Sequence, residues 1–301
     1  MSNYRESTLG GAEQRAEEAR GTLQDRSIGH ILAEANSLTA EQVERILAHQ
    51  KSHGTKFGEA AVALGLAKGE DVLWALSQQF HYPYAPGGGG KQLSEELVLA
   101  SKPFSHQAEA FRVLRSQINM RLYSADAPRP AIAVVSADSG DGKTFFAANM
   151  AVAFSQLGGR TLLVDADMRN PRQHEVFGLD NSTGLSGILS GRSEANVIRP
   201  VADLPSLFVM PVGTLPPNPM ELVERPAFGL LMRELATKFD HVIVDTPAAI
   251  YGADYAVIAA RCGAALVLAR KNSSRVNAVQ DLVATLGNSP AKLAGVIMNE
   301  H

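Results

Sequence analysis

The sequence contains very little cysteine and no long apolar run. Cys262 is the single cysteine among 301 residues, which excludes a disulfide framework and a zinc site built from cysteines, and which fits a reducing compartment. The longest largely apolar stretch, residues 248–269, is interrupted by Asp254 and Arg261, so we expect no membrane-spanning segment. The first 20 residues lack the apolar core of a signal peptide. A cytoplasmic protein is therefore expected.

The chain also lacks an excess of charge of either sign. Its formal net charge is −3, and charged residues make up 20% of the sequence. This balance gives no general attraction to nucleic acid or to an anionic membrane surface, so we expect no nucleic-acid partner. A length of 301 residues is typical of two domains or one large domain.

A loop of small residues after an apolar run is the most informative stretch. Residues 131–135 predict a β-strand, and residues 137–144, the phosphate loop, fit the phosphate-binding pattern with Ala137 in place of the first glycine. Gly140 and Gly142 allow successive backbone N–H groups to point at phosphate oxygens. We expect a nucleotide to be bound by Ser139, Gly140, Asp141, Gly142, Lys143, Thr144 and Phe145.

Acidic residues end two further predicted strands. Asp165 and Asp167 follow the apolar residues 162–164, and Asp245 follows residues 242–244. Because parallel strands end at the same edge of a sheet, we expect these carboxylates to converge beside the phosphate loop. Convergent carboxylates beside a phosphate site need a cation, and Mg²⁺ is the natural one.

The rest of the second half alternates between apolar strands and helical patterns. Strands that are apolar on both faces and separated by helices predict an α/β fold with a doubly wound parallel sheet. The predicted strands cover residues 131–135, 161–164, 207–212, 241–244, 264–269 and 293–298. The predicted helices cover residues 106–122, 144–157, 221–238, 254–261 and 275–286.

An internal repeat occupies the first part of the chain. Residues 28–50 match residues 57–79 with an offset of 29 positions, and each copy predicts a short helix, a turn and a longer helix. The longer helix of the first copy follows a predicted capping box at residues 39–42. One face of that helix is formed by Val43, Ile46, Leu47 and Gln50.

Composition divides the chain into four predicted parts. Residues 1–25 are polar and expected to be disordered, and residues 26–84 form a small helical domain. Residues 85–104 form a glycine-rich linker, because four consecutive glycines cannot hold a helix or a strand. Residues 105–301 form the domain that carries the phosphate loop.

Several segments of the second half resemble those of the bacterial tyrosine kinases. Residues 165–169 look like a second Walker-A-type motif, and residues 242–245 look like Walker B. The family is also matched by three further segments: Arg-Asn-Pro at residues 169–171, HEVFG at residues 174–178 and GTLPPNPMEL at residues 213–222. The resemblance implies a P-loop NTPase of the deviant Walker class, like MinD and ParA. With the repeat in front, the chain resembles the chain-length-determinant kinases (EpsG type) of exopolysaccharide biosynthesis.

The resemblance implies an ATP-dependent, autophosphorylating protein-tyrosine kinase that regulates exopolysaccharide polymerisation and export. An ATPase switch without kinase activity and a cyclic di-GMP-responsive docking module are the alternatives. The catalytic residues would be Lys143, Asp165, Asp167 and Asp245, with Asp165 preferred as the base. Mg²⁺ would be held by Thr144, Asp167 and Asp245. Asn299 either reads the adenine edge or simply ends a strand.

Partners follow from the same resemblance. A Wzz-like polysaccharide co-polymerase of the inner membrane would activate the kinase and hold it at that membrane, and a ring of copies would form through Glu109, Arg112 and Arg115. The repeat resembles the N-terminal domain of type II secretion and pilus ATPases, some of which bind cyclic di-GMP. Ser27 and Lys56 occupy that domain's arginine positions, so protein docking is preferred over cyclic di-GMP.

Two departures from related patterns matter. Asp138 stands where partition ATPases of the MinD/ParA type carry a signature lysine, which argues against their mechanism. No tyrosine follows Tyr255, whereas many family members end in a tyrosine cluster, so the acceptor stays open. Tyr82 and Tyr84 could reach a neighbouring copy, Tyr251 and Tyr255 are expected to be structural, and the acceptor could lie on another protein.

Overall fold

The computed structural model of the chain describes residues 27–79, 93–123, 128–192 and 195–300. It divides into two compact units, a small helical unit within residues 1–84 and a sheet unit within residues 85–301. The expectations for residues 1–25, for the glycines of the linker and for Tyr82 and Tyr84 lie outside the described residues.

The small helical unit contains two helix pairs, as the repeat predicts. The helices are α1 (Ile28–Ala35), α2 (Ala40–His53), α3 (Phe57–Ala63) and α4 (Gly69–Gln79). The predicted capping box begins α2, since the Gln42 N–H donates to Thr39 Oγ1 at 3.3 Å and the Thr39 N–H donates to Gln42 Oε1 at 2.8 Å. Its core is formed by Ile31, Leu32, Ile46, Ala60, Ala61 and Ala75.

The predicted apolar face of α2 is wrong at one position. Ile46 is fully buried, but the Leu47 side chain is 50% exposed. The physical reason is that α2 packs mainly against α3, and one neighbouring helix covers a narrower stripe than the predicted face.

The sheet unit is built on one seven-stranded sheet. Its strands are β1 (Ala131–Ser136), β2 (Thr161–Asp165), β3 (Arg199–Val201), β4 (Leu204–Met210), β5 (His241–Asp245), β6 (Gly263–Arg270) and β7 (Lys292–Asn299). They lie in the order β3-β4-β2-β5-β1-β6-β7, and every neighbouring pair is parallel except the edge pair of β3 and β4. All six predicted strands are present and mutually parallel.

Helices cover both faces of this sheet. They are α5 (Val98–Ser101), α6 (His106–Leu122), α7 (Lys143–Ser155), α8 (Gln173–Val176), α9 (Leu185–Leu189), α10 (Pro219–Glu224), α11 (Pro226–Lys238), α12 (Asp254–Cys262) and α13 (Val276–Gly287). Alternate residues of β1 enter different cores: Ile132 and Val134 pack with residues of α6 and α7, whereas Ala133 and Val135 pack with residues of α11 and α12. The unit is therefore doubly wound, as predicted.

Three differences from the prediction have local causes. The predicted helix over residues 221–238 is two helices, because Pro226 forces Arg225 into an extended conformation with a ψ angle of 143°. Strand β3 is only three residues long and contains Pro200, so it has no alternation to detect. Leu97 and Leu99, which the prediction assigns to the linker, are fully buried in the core of the sheet unit, so this unit begins before residue 105.

No helix in the described part of the chain is both long enough and apolar enough to cross a membrane.

The close approach of two backbone segments gives a test of this fold. A Cβ at Gly184 would lie 2.1 Å from the Pro211 carbonyl oxygen and 2.7 Å from the Gly213 nitrogen. We expect Gly184→Ala to lower the free energy of unfolding by about 1–3 kcal/mol, because backbone cannot yield as a side chain can. Gly287→Ala is the control, since a Cβ there meets nothing within 4 Å. Equal urea midpoints for the two variants would contradict the packing.

Candidate functional site

The phosphate loop joins β1 to α7 with a curled backbone. Gly140 and Gly142 have φ angles of 85° and 95°, a left-handed conformation that favours glycine. A side chain at Gly142 would also lie 2.4 Å from the Asn299 amide nitrogen. Helix α7 begins at Lys143, within the last two residues of the loop, so its free N–H groups and partial positive charge lie at the same place.

The lysine of the loop is buried and turned inward. Lys143 is 6% exposed, and its Nζ donates to Ser136 Oγ at 3.0 Å and to the Asp138 carbonyl at 3.5 Å. Its charge also lowers the pKa of Asp245, which places the two groups within electrostatic reach. The ammonium group thus lies against the end of β1 and the first part of the phosphate loop.

Asp141 braces the loop with its side chain. It is 1% exposed, and its carboxylate accepts the Asp138 N–H at 3.1 Å and the Ser274 hydroxyl at 2.9 Å. Asn299 donates its amide to the Asp141 carbonyl at 3.0 Å. Of the predicted nucleotide-binding residues, Asp141 therefore offers its backbone to a phosphate, since both oxygens of its side chain are occupied.

The remaining loop residues are placed differently. Ser139 and Gly140 are exposed, and Thr144 is half-buried at the start of α7. The ring of Phe145 packs at 5.9 Å from that of Phe111. Phe145 and Asn299 also line a cavity of about 390 Å³ beside the loop.

The three predicted acids come together, as the sheet topology requires. Asp165 and Asp245 are direct neighbours across β2 and β5, and both are fully buried. Burial raises the pKa of Asp165 well above its usual range, and the nearby charges of Asp245 and Asp167 raise it further. Hydrogen bonds from backbone N–H groups lower it, but do not outweigh burial.

Asp165 uses both of its oxygens to hold the acid loop, residues 165–173. Oδ1 accepts the Asp167 N–H at 3.2 Å, and Oδ2 accepts the N–H groups of Arg172 at 3.1 Å and Gln173 at 3.0 Å. This arrangement leaves little room for a substrate proton. It argues for a positioning role rather than the role of base that the sequence favours.

Asp245 has one buried oxygen without a hydrogen-bond partner among the described residues. Burial is the main cause that raises the pKa of Asp245 to about 6. The Thr144 hydroxyl lowers this pKa, and the charge of Asp167 raises it. Oδ2 accepts the side-chain amide of Gln173 at 2.9 Å, while Oδ1 is buried and accepts no hydrogen bond of normal geometry from the described residues. The contact between the Thr144 hydroxyl and Asp245 is therefore weaker than a normal hydrogen bond, and Oδ1 is available to a cation.

Gln173 was missed by the sequence reasoning. It is fully buried and its amide bridges the Thr144 carbonyl, at 3.1 Å, and Asp245 Oδ2. It therefore joins the phosphate loop to the end of β5. A glutamine three residues after Asn170 gives no sequence signal for such a bridge.

Asp167 faces a more open position than its neighbours. Its Oδ1 accepts the N–H groups of Arg169 at 3.1 Å and Asn170 at 2.9 Å. Its Oδ2 accepts no hydrogen bond from the described residues, and the residue is 7% exposed. Asp167 thus keeps one free carboxylate oxygen near the surface of the site.

The described residues contain no group of three His, Cys, Asp or Glu side chains that could by itself hold a metal ion. Mg²⁺ nevertheless fits this donor set, because it is usually bound by one or two carboxylates together with phosphate oxygens and water. The buried, unfilled Oδ1 of Asp245 and the Thr144 hydroxyl are hard oxygen donors of that kind.

Other candidate residues are paired within the chain. Arg169 contacts both oxygens of Asp254, at 3.0 and 3.2 Å, and Arg172 pairs with Glu96. On α6, Arg112 binds Glu109 at 2.9 Å, and Arg115 donates to the Ala153 carbonyl at 2.6 Å.

Comparison with known proteins identifies the family. The model of the CobQ/CobB/MinD/ParA nucleotide binding domain matches residues 132–301. The tyrosine-protein kinase YwqD of Bacillus subtilis is 32% identical over 211 residues, which cover 70% of this chain and 88% of that protein. The chain belongs to the bacterial tyrosine-kinase family. The kinase domain of the Escherichia coli tyrosine kinase ETK superposes with a TM-score of 0.66 at 28% identity, covering 70% of this chain and 82% of that domain.

The match to larger kinases of the family is partial. The tyrosine-protein kinase Wzc of Salmonella typhi is 32% identical over 205 residues, which cover 68% of this chain but only 28% of Wzc. The predicted P-loop fold class and family resemblance are confirmed by these findings. The roles of individual site residues stay predictions.

The raised pKa of Asp245 predicts an unusual pH dependence of stability. Because its folded pKa, about 6, lies above the ordinary value of 3.8, the native state loses stability as pH rises from about 4 to 6. We expect Asp245→Asn to raise the melting temperature of the ligand-free protein by a few degrees at pH 7.5, and to lose this advantage near pH 4.

Asp281→Asn on the exposed face of α13 is the control and is expected to change the melting temperature little at either pH. If Asp245→Asn were less stable than the wild type at pH 7.5, the surroundings of Asp245 would stabilise its ionised form, and the prediction would be wrong.

Proposed function

We propose that the chain is an ATP-dependent protein-tyrosine kinase that phosphorylates itself and regulates exopolysaccharide polymerisation and export. The observation that carries the proposal is the burial of both Lys143, in the phosphate loop, and Asp245, whose pKa the lysine charge lowers, in a chain of the tyrosine-kinase family. A loop of this kind positions the phosphates of a nucleotide, and phosphoryl transfer requires little beyond positioning and charge stabilisation.

The nucleotide would be held mainly by backbone groups. The N–H groups of residues 139–144 would face the phosphates, and Lys143 would exchange its contact with Ser136 Oγ for phosphate oxygens. The adenine base of the nucleotide would occupy the cavity lined by Phe145 and Asn299. Removing a preorganised donor such as Lys143 typically costs a factor of about 10² to 10³ in rate.

Mg²⁺ would be held by the Thr144 hydroxyl and Asp245, with Asp167 nearby. When bound, the ion would supply charge stabilisation on the β- and γ-phosphates. Asp245 would then have to be ionised, and the charge of Lys143 already favours that form. Gln173 would keep Oδ2 of Asp245 occupied and leave Oδ1 facing the ion.

Asp167 is our proposed proton acceptor in place of Asp165. A tyrosine hydroxyl is only about 0.1% ionised at neutral pH, so a base must take its proton during transfer. Asp165 accepts three backbone hydrogen bonds with its two oxygens, whereas Oδ2 of Asp167 accepts none from the described residues. Asp165 would fix the acid loop on which Asp167 stands.

Partners are proposed from the family alone. A Wzz-like co-polymerase of the inner membrane would activate the kinase and recruit it there, and copies of the chain would associate in a ring. The small helical unit would dock a protein, since Ser27 stands at one of its two expected arginine positions, and no feature of residues 27–79 supports cyclic di-GMP. An ATPase switch without kinase activity is the alternative that the next experiment distinguishes.

Phosphotyrosine analysis with a lysine control tests the kinase proposal. Wild type, Lys143→Met and Lys238→Met are incubated with Mg-ATP, with and without a cytoplasmic peptide of the co-polymerase. We expect phosphotyrosine in the wild type and in Lys238→Met, whose lysine is exposed on α11, and its loss in Lys143→Met. Hydrolysis of ATP without phosphotyrosine on either protein would favour the switch.

Charge reversal on α6 tests the ring. Glu109 is 64% exposed and binds Arg112, while Glu234 on α11 is 58% exposed and binds Lys238. We expect Glu109→Lys to lower the molar mass measured by light scattering and Glu234→Lys to leave it unchanged. The double substitution of Arg112 and Arg115 is less suitable, because both arginines also bind backbone carbonyls of their own chain. An unchanged mass for Glu109→Lys at equal thermal stability would remove Glu109 from the interface.

A further inference from the structure

The tyrosines of the described residues differ sharply in exposure. Tyr123 lies in a buried environment that raises its pKa, and Tyr255 is 8% exposed. Tyr251 is 43% exposed. The sequence predicts a structural role for both Tyr251 and Tyr255, but only the buried Tyr255 fits that role. Of these three tyrosines, Tyr251 alone presents its ring to a reactant.

Tyr251 stands in a turn that is fixed to the phosphate loop. The 3₁₀ turn Ala249–Tyr251 follows Asp245 by a few residues, and the Ile250 N–H donates to the carbonyl of Ala137, the first residue of the phosphate loop, at 3.0 Å. The Thr246 hydroxyl donates to the Val134 carbonyl at 2.7 Å inside the sheet. The turn is thus anchored at the rim of the site.

The other side of the turn borders the acid loop. A Cβ at Gly252, the residue after Tyr251, would lie 3.4 Å from an Arg169 guanidinium nitrogen and 3.0 Å from Asp254 Oδ2. The Arg169 N–H in turn donates to Asp167 Oδ1. Tyr251 therefore stands between the phosphate loop and the residues that hold Asp167.

We propose that Tyr251 is an acceptor tyrosine of the chain, phosphorylated at the site whose rim it occupies. This inference rests on the proposed kinase function. The Tyr251 Oη would form a bond to the γ-phosphorus of ATP as the bond from that phosphorus to the β,γ-bridging oxygen breaks. ADP leaves with the electron pair, and the phenolic proton passes to Asp167, so no further reactant is needed.

Site mapping on the full chain tests this proposal. Four forms of the full chain are purified and incubated with Mg-ATP: the wild type, Tyr251→Phe, Tyr255→Phe and Lys143→Met. Both tyrosines lie in one tryptic peptide, residues 239–261, so fragment ions must locate the phosphate. We expect it on Tyr251, with the dominant phosphotyrosine signal lost in Tyr251→Phe and Lys143→Met. Tyr255→Phe is the matched control and keeps it.

Three outcomes overturn the proposal in distinguishable ways. Phosphate on Tyr4, Tyr82 or Tyr84 with Tyr251 unmodified contradicts the acceptor and leaves the kinase function intact. An unchanged signal in Tyr251→Phe together with a loss in Tyr255→Phe reverses the assignment of the two tyrosines. No phosphotyrosine in the wild type, with ATP hydrolysis that Lys143→Met abolishes, removes both this proposal and the kinase function on which it rests.

Discussion

Three carboxylates and one ammonium are buried at the same edge of the sheet. Asp165 and Asp245 are fully buried neighbours on adjacent strands, and Lys143 and Asp167 are each less than a tenth exposed. Like charges at such depth are held apart from water at a cost that protonation or a bound cation must offset. The raised pKa values of Asp165 and Asp245 express that cost. A cation bound at this edge would therefore stabilise the ionised form of these acids.

The surrounding fold divides the work among these charges. Asp165 is tied down by backbone N–H groups and shapes the acid loop, while Gln173 links Asp245 to the start of α7. Lys143 donates a hydrogen bond to Ser136, and the phosphate oxygens of a nucleotide would replace this contact. These contacts leave free oxygens on Asp167 and Asp245, which is the arrangement that a metal-bound phosphate and an incoming hydroxyl would need.

Much of this could be predicted from sequence because the signals are local or imposed by topology. Continuous apolar runs gave six strands, and parallel topology alone required the three aspartates to meet. What could not be predicted depends on side chains far apart in sequence: the Gln173 bridge to Asp245, the filled oxygens of Asp165 and the exposure of Tyr251. Burial of residues 97–99 was missed because their glycine-rich neighbourhood suggested a linker.

Infrared difference spectroscopy of Mg-nucleotide binding near pH 6 shows whether bound ligands ionise the buried acids. If the site is completed electrostatically by its ligands, a protonated carboxyl band present in the ligand-free protein disappears on binding of Mg²⁺ and a non-hydrolysable ATP analogue. That band should be weaker from the outset in Asp245→Asn. Carboxyl bands that do not change on binding, in a wild-type protein that does bind the nucleotide, would show that these acids were already ionised and would contradict the account.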